Sequence, residues 1–233
     1  MDTVRDLIRS AERIAVLTGA GISAESGIPT FRGAGGLWKN FKPEELATPE
    51  AFARDPKLVW EWYDWRRQII AQAEPNAAHR ALVKLGDRVT IITQNVDGLH
   101  ERAGSRNVLR VHGSIWTVRC LQCAAENEDH RAPLPEIPPL CQCGGMLRPG
   151  VVWFGEGLPQ AVWDNAEKAA RNADLLLVAG TSAVVYPAAS LVPIARRAGA
   201  KVVEINPGET PISATVDHSL RGAAGEKLPK LIE

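Results

Sequence analysis

Apolar and polar positions alternate along this chain in two registers. Short, nearly unbroken apolar runs recur at Arg13–Thr18, Arg88–Thr93, Val108–Val111, Asp174–Ala179 and Lys201–Ile205. Runs this apolar have no solvated face, so they read as strands covered on both sides, the pattern of a parallel sheet. Helical periodicity fills the intervals between them. Asn76-Ala-Ala-His-Arg-Ala-Leu-Val-Lys-Leu-Gly86 has a capping amide at one end and glycine at the other, which predicts a helix feeding the Val89–Thr93 strand. The charged start Met1–Asp6 predicts an amphipathic helix. The expected fold is therefore α/β, with a Rossmann-like parallel sheet.

Two stretches break the alternation and read as insertions. Leu37–Ala73 is helical and aromatic, carrying Trp38, Trp60, Trp62, Tyr63 and Trp65. Trp116–Pro149 holds all four cysteines and the spacer Pro133-Leu-Pro-Glu-Ile-Pro-Pro139, which excludes regular helix and central strand. Cys120-x2-Cys123 and Cys141-x-Cys143 supply four thiolates, enough for a closed tetrahedral zinc site; His130 between the pairs is a substitute ligand, and four reduced thiols are the metal-free alternative.

Composition narrows the class further. Among 233 residues, 27 Lys and Arg balance 27 Asp and Glu, so net charge points to neither nucleic acid nor a membrane surface. No run approaches the roughly 18 apolar residues of a membrane span. With no apolar signal core behind the first residues, the expectation is a cytoplasmic protein, monomeric, with no direct nucleic-acid or membrane partner.

Chemistry gathers where the apolar runs end. The first runs into Gly19-Ala20-Gly21-Ile22-Ser23, a turn suited to a dinucleotide pyrophosphate. A hydride-transferring enzyme of this type carries an acidic residue about 20 positions on, at the next strand end. Here that region is Trp38-Lys39-Asn40-Phe41-Lys42-Pro43, so the ribose partner is sought at Glu204-Ile205-Asn206-Pro207-Gly208. The other strand ends are Thr93-Gln94-Asn95-Val96-Asp97-Gly98, Val111-His112-Gly113-Ser114 and Gly180-Thr181-Ser182. Ligands in open parallel sheets bind beyond these ends, so the clusters are expected to converge on one crevice. Among the other histidines, His79 and His218 read as surface or structural residues and His100 as a turn residue. An ordinary oxidoreductase wants a Tyr followed four residues later by Lys, but Tyr63 and Tyr186 are followed by Arg67 and Ser190.

In order along the chain, Gly19–Ser23, Gly27-Ile-Pro-Thr-Phe-Arg-Gly33, Thr93–His100, Val111–Gly113, Val151-Val-Trp-Phe-Gly-Glu156, Gly180–Ser182 and Asn206-Pro207 resemble the sirtuins, protein deacylases that consume NAD. The resemblance covers nearly the whole chain. It implies a single catalytic domain, with an NAD-binding lobe at 1–36, 76–114 and 150–233, a helical insertion at 37–75 and a zinc-binding module at 115–149. It implies that the acyl oxygen of a modified lysine attacks the nicotinamide ribose, that nicotinamide leaves, and that His112 acts as base on the ribose hydroxyls. An imidazole with an ordinary pKa of about 6.5 suits that task. Asn95 would position the ribose or a water, and Asp97 the nicotinamide carboxamide. Thr30, Phe31 and Arg32 would cover the reactive end, with Phe31 shielding it from water. Gly19, Ala20, Gly21, Ile22, Gln94, Val96, Gly180, Thr181, Ser182, Asn206, Pro207, Gly208 and Ala224 complete the expected NAD site, and Cys120, Cys123, Cys141 and Cys143 would hold one structural zinc.

Tyr63 and Arg66, three apart on one helix, place a phenol beside a guanidinium, a receptor for a carboxylate. Sirtuins that remove succinyl and malonyl groups, the class III members, carry Tyr-x-x-Arg here, and Ala47, Thr30 and Val184-Val-Tyr-Pro187 fit them too. The implied function is removal of succinyl, malonyl and some acetyl groups from lysine, yielding nicotinamide and 2'-O-acyl-ADP-ribose. A mainly deacetylating enzyme and a protein ADP-ribosyltransferase are the alternatives. The acylated protein would lie extended between Val151–Gly155, through Val152, Trp153 and Phe154, and Ala183–Tyr186, near Val184.

Overall fold

A computed structural model describes residues 1–31, 36 and 41–232. Nine strands are present among them: β1 (Ile14–Thr18), β2 (Val89–Thr93), β3 (Val108–Arg110), β4 (Gly113–Cys120), β5 (Glu126–Glu128), β6 (Leu147–Val151), β7 (Leu175–Ala179), β8 (Lys201–Asn206) and β9 (His218–Arg221). Six of them form one parallel sheet in the order β3-β2-β1-β7-β8-β9. Every residue of β1 and β7 is buried, as continuous apolar runs require. The edge strand β9 is absent from the expectations above; its half-exposed His-Ser-Leu-Arg carries too little apolar signal to read as a strand.

Helices cover both faces. α1 (Asp2–Ser10) precedes the sheet, and α2 (Pro43–Leu46), α3 (Pro49–Arg54) and α4 (Pro56–Gln72) form the aromatic insertion. α5 (Ala77–Val83), α6 (Leu99–Arg102), α7 (Gln160–Asn172), α8 (Leu191–Arg197) and α9 (Ala224–Leu231) follow. Apolar residues of α1, α5 and α9 pack on one face of the sheet, and those of α7 and α8 on the other. α5 begins as expected, the Asn76 side chain accepting from the N–H groups of Ala78 and His79.

β4, β5 and β6 form a separate antiparallel sheet in the order β5-β4-β6. It runs past the expected edges of the cysteine-bearing insertion, because β4 begins at Gly113 and β6 ends at Val151. α4 joins this sheet to the rest. Its Asp55 cap and Pro56 start the helix, and Val59, Trp62, Tyr63, Arg66, Arg67 and Ile70 recur at helical spacing on a buried face. Trp60 Nε1 donates to the Leu147 carbonyl at 2.8 Å, Arg67 Nε to the Ile115 carbonyl at 2.9 Å, and the Leu134 N–H to Asp64 at 2.8 Å. None of the helices among the described residues is long and apolar enough to cross a membrane.

The chain order reverses between β1 and β7: β2 and β3 lie on one side of β1, and β7, β8 and β9 on the other. The loops leaving these two neighbours diverge and open a crevice. They first touch: the Gly21 N–H donates to the Gly180 carbonyl at 2.8 Å. A Cβ on Gly19 would lie 2.8 Å from Thr181 Cβ, and one on Gly21 2.7 Å from the Gly180 oxygen. The glycines at 19 and 21 are thus demanded first by the facing turn. Gly180 itself has φ +61°, and a Cβ there would lie 2.2 Å from the Ile22 nitrogen. Gly180→Ala is expected to lower the unfolding free energy by roughly 2–4 kcal/mol; an unchanged midpoint in urea denaturation would contradict this packing account.

Candidate active site

The crevice at the reversal holds a cavity of about 450 Å³. Its walls bring together most of the residues singled out above. Gly19, Ala20, Gly21, Thr30 and Phe31 come from the β1 loop, Gln94, Asn95, Val96 and Asp97 from the end of β2, and His112 from the turn before β4. Gly180, Thr181, Ser182 and Asn206 come from the ends of β7 and β8. Ala47, Tyr63, Arg66, Val152, Trp153 and Phe154 close the inner side.

The remaining residues sit elsewhere. Ile22 is fully buried and shares an apolar core with Ala224 of α9. Val184, Pro207 and Gly208 lie off the cavity wall, with Val185 and Tyr186 on it in place of Val184. Arg32 lies outside the described residues.

His112 is set by backbone. Its Nδ1 is 3.1 Å from the Gln94 carbonyl, so that nitrogen carries the proton and Nε2 is the available base. Its own carbonyl accepts from the Val152 N–H at 3.0 Å. Gly113 follows at φ +76°, where a Cβ would be 2.3 Å from the Gly150 oxygen, so only glycine lets the chain turn here into the irregular start of β4. Burial holds the imidazole below its ordinary pKa, against the raising effect of the Gln94 carbonyl.

The crevice wall also carries a polar cluster that includes a serine missing from the candidates above. Ser23 Oγ donates to Asp97 at 2.8 Å and accepts from Asn95 Nδ2 at 3.1 Å. Asp97 also accepts from the Leu99 N–H, yet burial pushes its carboxyl above the ordinary value. The one signal for Ser23 was its place directly after the glycine turn.

Two expectations change and a third narrows. His100 is a buried helix residue rather than a turn residue, with Nε2 3.0 Å from Thr18 Oγ1. Glu204 cannot be the ribose partner: its carboxylate is fully buried and accepts from Thr210, Ser213, Ser219 and Arg221. Asn206, two residues on, is the member of that stretch on the wall. His130 stacks on Trp116 and meets Glu128, apart from the cysteine cluster.

The four cysteine sulfurs lie within 4.8 Å of one another, Cys120 to Cys143 at 3.5 Å and Cys123 to Cys141 at 3.8 Å. A tetrahedral ion with Zn–S bonds of about 2.3 Å has its sulfurs about 3.8 Å apart, so the donor set and spacing fit one structural zinc with no open position.

Tyr63 and Arg66 are 2% and 5% exposed, side by side on the buried face of α4. The guanidinium lies over Trp62, Phe31 and Tyr63 at 4.6, 5.1 and 5.3 Å, and its Nε has no hydrogen-bond partner among the described residues. Burial lowers its pKa and raises that of Tyr63.

The parallel sheet with a polar crevice at its reversal makes this a doubly wound α/β protein of the dinucleotide-binding type. A model of the Sir2 family matches residues 19–187. A protein named NAD-dependent protein deacylase from Aquifex aeolicus is 58% identical over 224 residues, 94% of each chain. NAD-dependent protein deacylase 1 of Archaeoglobus fulgidus is 54% identical over 97% of this chain and 94% of its own. A solved Sir2 homologue in complex with NAD has a TM-score of 0.95 at 52% identity, covering 100% of this chain and 92% of that one. A Sir2 complex with deacetylated p53 peptide and 3'-O-acetyl-ADP-ribose has a TM-score of 0.91 at 34% identity, covering 99% and 96%. The chain belongs to the Sir2 family.

Burial also sets how this site responds to acid. His79 is pushed down to about 4 and His100 to about 3, chiefly by burial, and the two rings are 4.8 Å apart. Unfolded, both would take a proton below pH about 6.5. Their contribution to stability is therefore full above that value and is lost as pH falls toward 4. The expected slope approaches about 2.7 kcal/mol per pH unit near pH 5, two protons' worth. Urea titrations at stepped pH check it, and a slope well under one proton would contradict it.

Proposed function

We propose that the chain is an NAD-dependent protein-lysine deacylase that removes succinyl and malonyl groups, with some acetyl activity, releasing nicotinamide and 2'-O-acyl-ADP-ribose. NAD dependence and a protein substrate are supported by the relatives' names and by the NAD and peptide complexes among the structural neighbours. The acyl preference rests on one observation: Arg66 is buried beside Tyr63 on the wall of the crevice, its Nε without a hydrogen-bond partner among the described residues. A buried cation short of partners is costly, and an anionic acyl end entering that wall would offset the cost. Ala47, also on the wall, leaves room for a longer acyl chain.

Bound NAD supplies an anomeric carbon as the acceptor of the acyl oxygen. The protein's part is positional and acid–base. Asp97 and Asn95, braced by Ser23, present a carboxyl and an amide where the nicotinamide and its ribose would lie. Phe31 shields that end from water. His112, neutral at Nε2, takes a proton from a ribose hydroxyl. The carbonyls of Val152–Phe154, whose N–H groups already donate to His112, Glu156 and Ala47, would accept from an extended substrate backbone, which gives affinity with little dependence on side chains. On this reading 1–36, 76–114 and 150–233 form the NAD-binding lobe, 37–75 the acyl-side insertion, and 115–149 a module held by zinc on Cys120, Cys123, Cys141 and Cys143.

Arg66→Met should lower kcat/KM on succinyl- and malonyl-lysine peptides at least about tenfold more than on the matched acetyl-lysine peptide. Equal losses on all three peptides would overturn the acyl assignment. For the base, activity requires neutral His112, so the rate should be held above pH 6.5 and fall only below it, where the lowered imidazole pKa lies. A kcat/KM profile already falling between pH 8 and 7 would contradict that role.

A further inference from the structure

Trp153 sits between two parts of the site. Its backbone belongs to the Val152–Phe154 segment, and its N–H donates to Glu156 at 2.9 Å. Its indole Nε1 donates to the Tyr63 hydroxyl at 3.0 Å. Both residues are almost wholly buried and both line the cavity.

The indole has little freedom to turn. The Arg148 guanidinium lies 3.5 Å from its ring centroid, and Phe52 lies against it at 5.2 Å. Arg148 is itself fixed, paired with Glu156 at 2.5 and 2.9 Å and donating to the Val151 carbonyl at 3.1 Å. The direction of the Trp153 indole N–H is thus set by a partly buried ion pair on the substrate-side segment.

A tryptophan N–H only donates, whereas a tyrosine hydroxyl both donates and accepts. With Trp153 donating to it, the Tyr63 oxygen is the acceptor of that bond, and its hydroxyl hydrogen must point elsewhere. The neighbouring Arg66 guanidinium offers only donors, so it is no destination for that hydrogen. We propose that Trp153 is a specificity-determining residue: it holds the Tyr63 hydroxyl as a hydrogen-bond donor aimed at the acyl carboxylate, beside Arg66. The proposal rests on the reading of this wall as an acidic-acyl pocket. A carboxylate is acceptor-only, so a fixed donor favours it, while a methyl-ended acyl group gains nothing from the same hydroxyl. Acyl choice is thereby tied to the segment that carries the peptide, through one indole.

The test is a double-mutant cycle on kcat/KM with matched succinyl- and acetyl-lysine peptides at saturating NAD. Trp153→Phe keeps an aromatic ring between Arg148 and Phe52 and removes the N–H together with part of the ring, a packing loss that is common to both backgrounds of the cycle. It should lower the succinyl-to-acetyl ratio about tenfold in the parent enzyme. It should leave that ratio unchanged in a Tyr63→Phe background, where no hydroxyl remains to orient. An unchanged ratio in the parent enzyme, or the same fall in the Tyr63→Phe background, would overturn the proposal. Arg66→Met assayed alongside separates the two levels: a ratio that responds to Arg66→Met but not to Trp153→Phe leaves the acidic pocket standing and removes the role of Trp153. A ratio that ignores Arg66→Met overturns both.

Discussion

The site depends on how closely two neighbouring strands end. β1 and β7 lie side by side where the chain order reverses, and their loops touch before they part, through the Gly21 N–H and the Gly180 carbonyl. Side chains at 19, 21 or 180 would force the turns apart. Because they stay together, the Ser23 hydroxyl, Asn95 and Asp97 meet in one hydrogen-bonded cluster. The end of β2 is held to the same strand, the Gln94 N–H donating to the Thr18 carbonyl at 3.0 Å. The Gln94 carbonyl is then the fixed point that orients His112. A displacement at Gly180 would therefore reach the base through three hydrogen bonds, and one at Gly19 or Gly21 through two.

The second half of the site is organised by desolvation. His112 and Arg66 are both held away from water, with opposite uses. For the imidazole, burial favours the neutral form that accepts a proton. For the guanidinium, charge persists because arginine does not give up its proton in proteins, and its donor capacity sits at the cavity wall beside Tyr63. An apolar ligand end would leave that capacity unmet, whereas a carboxylate would satisfy it with a planar, two-pronged geometry. The aromatic faces of Trp62, Tyr63 and Phe31 around the cation offset part of its burial without occupying its in-plane donors.

Much of this was legible in the chain. Continuous apolar runs marked the four inner strands, β1, β2, β7 and β8, because burial on both faces leaves little polar alternation to confuse them, and a shorter run marked the half-buried edge strand β3. The strand ends were marked by polar residues, and several of these, Gln94, Asn95, Asp97, His112, Thr181, Ser182 and Asn206, lie on the cavity wall. Tyr63 and Arg66 were legible because helical spacing alone puts them together. What the sequence hid was governed by tertiary context. Glu204 looks like a ribose partner from its strand-end position, but the hydroxyls that consume it come from residues 210, 213 and 219, beyond the reach of local pattern. His100 lies in a polar motif, yet one turn of helix carries it inward to Thr18. Trp153 read as one residue of a peptide-binding segment, since nothing local shows that its indole reaches Tyr63 across 90 positions.

The central claim is that this crevice consumes NAD to take acidic acyl groups off lysine. The most direct measurement is mass spectrometry of one mixture containing the protein, NAD and equimolar succinyl-, malonyl- and acetyl-lysine forms of a single peptide, run beside His112→Ala. The account predicts one nicotinamide and one acyl-ADP-ribose per lysine freed, with the succinyl and malonyl peptides consumed before the acetyl peptide, and none of this in the variant. Acetyl peptide consumed first, or ADP-ribose transferred to protein with the peptides left acylated, would contradict it.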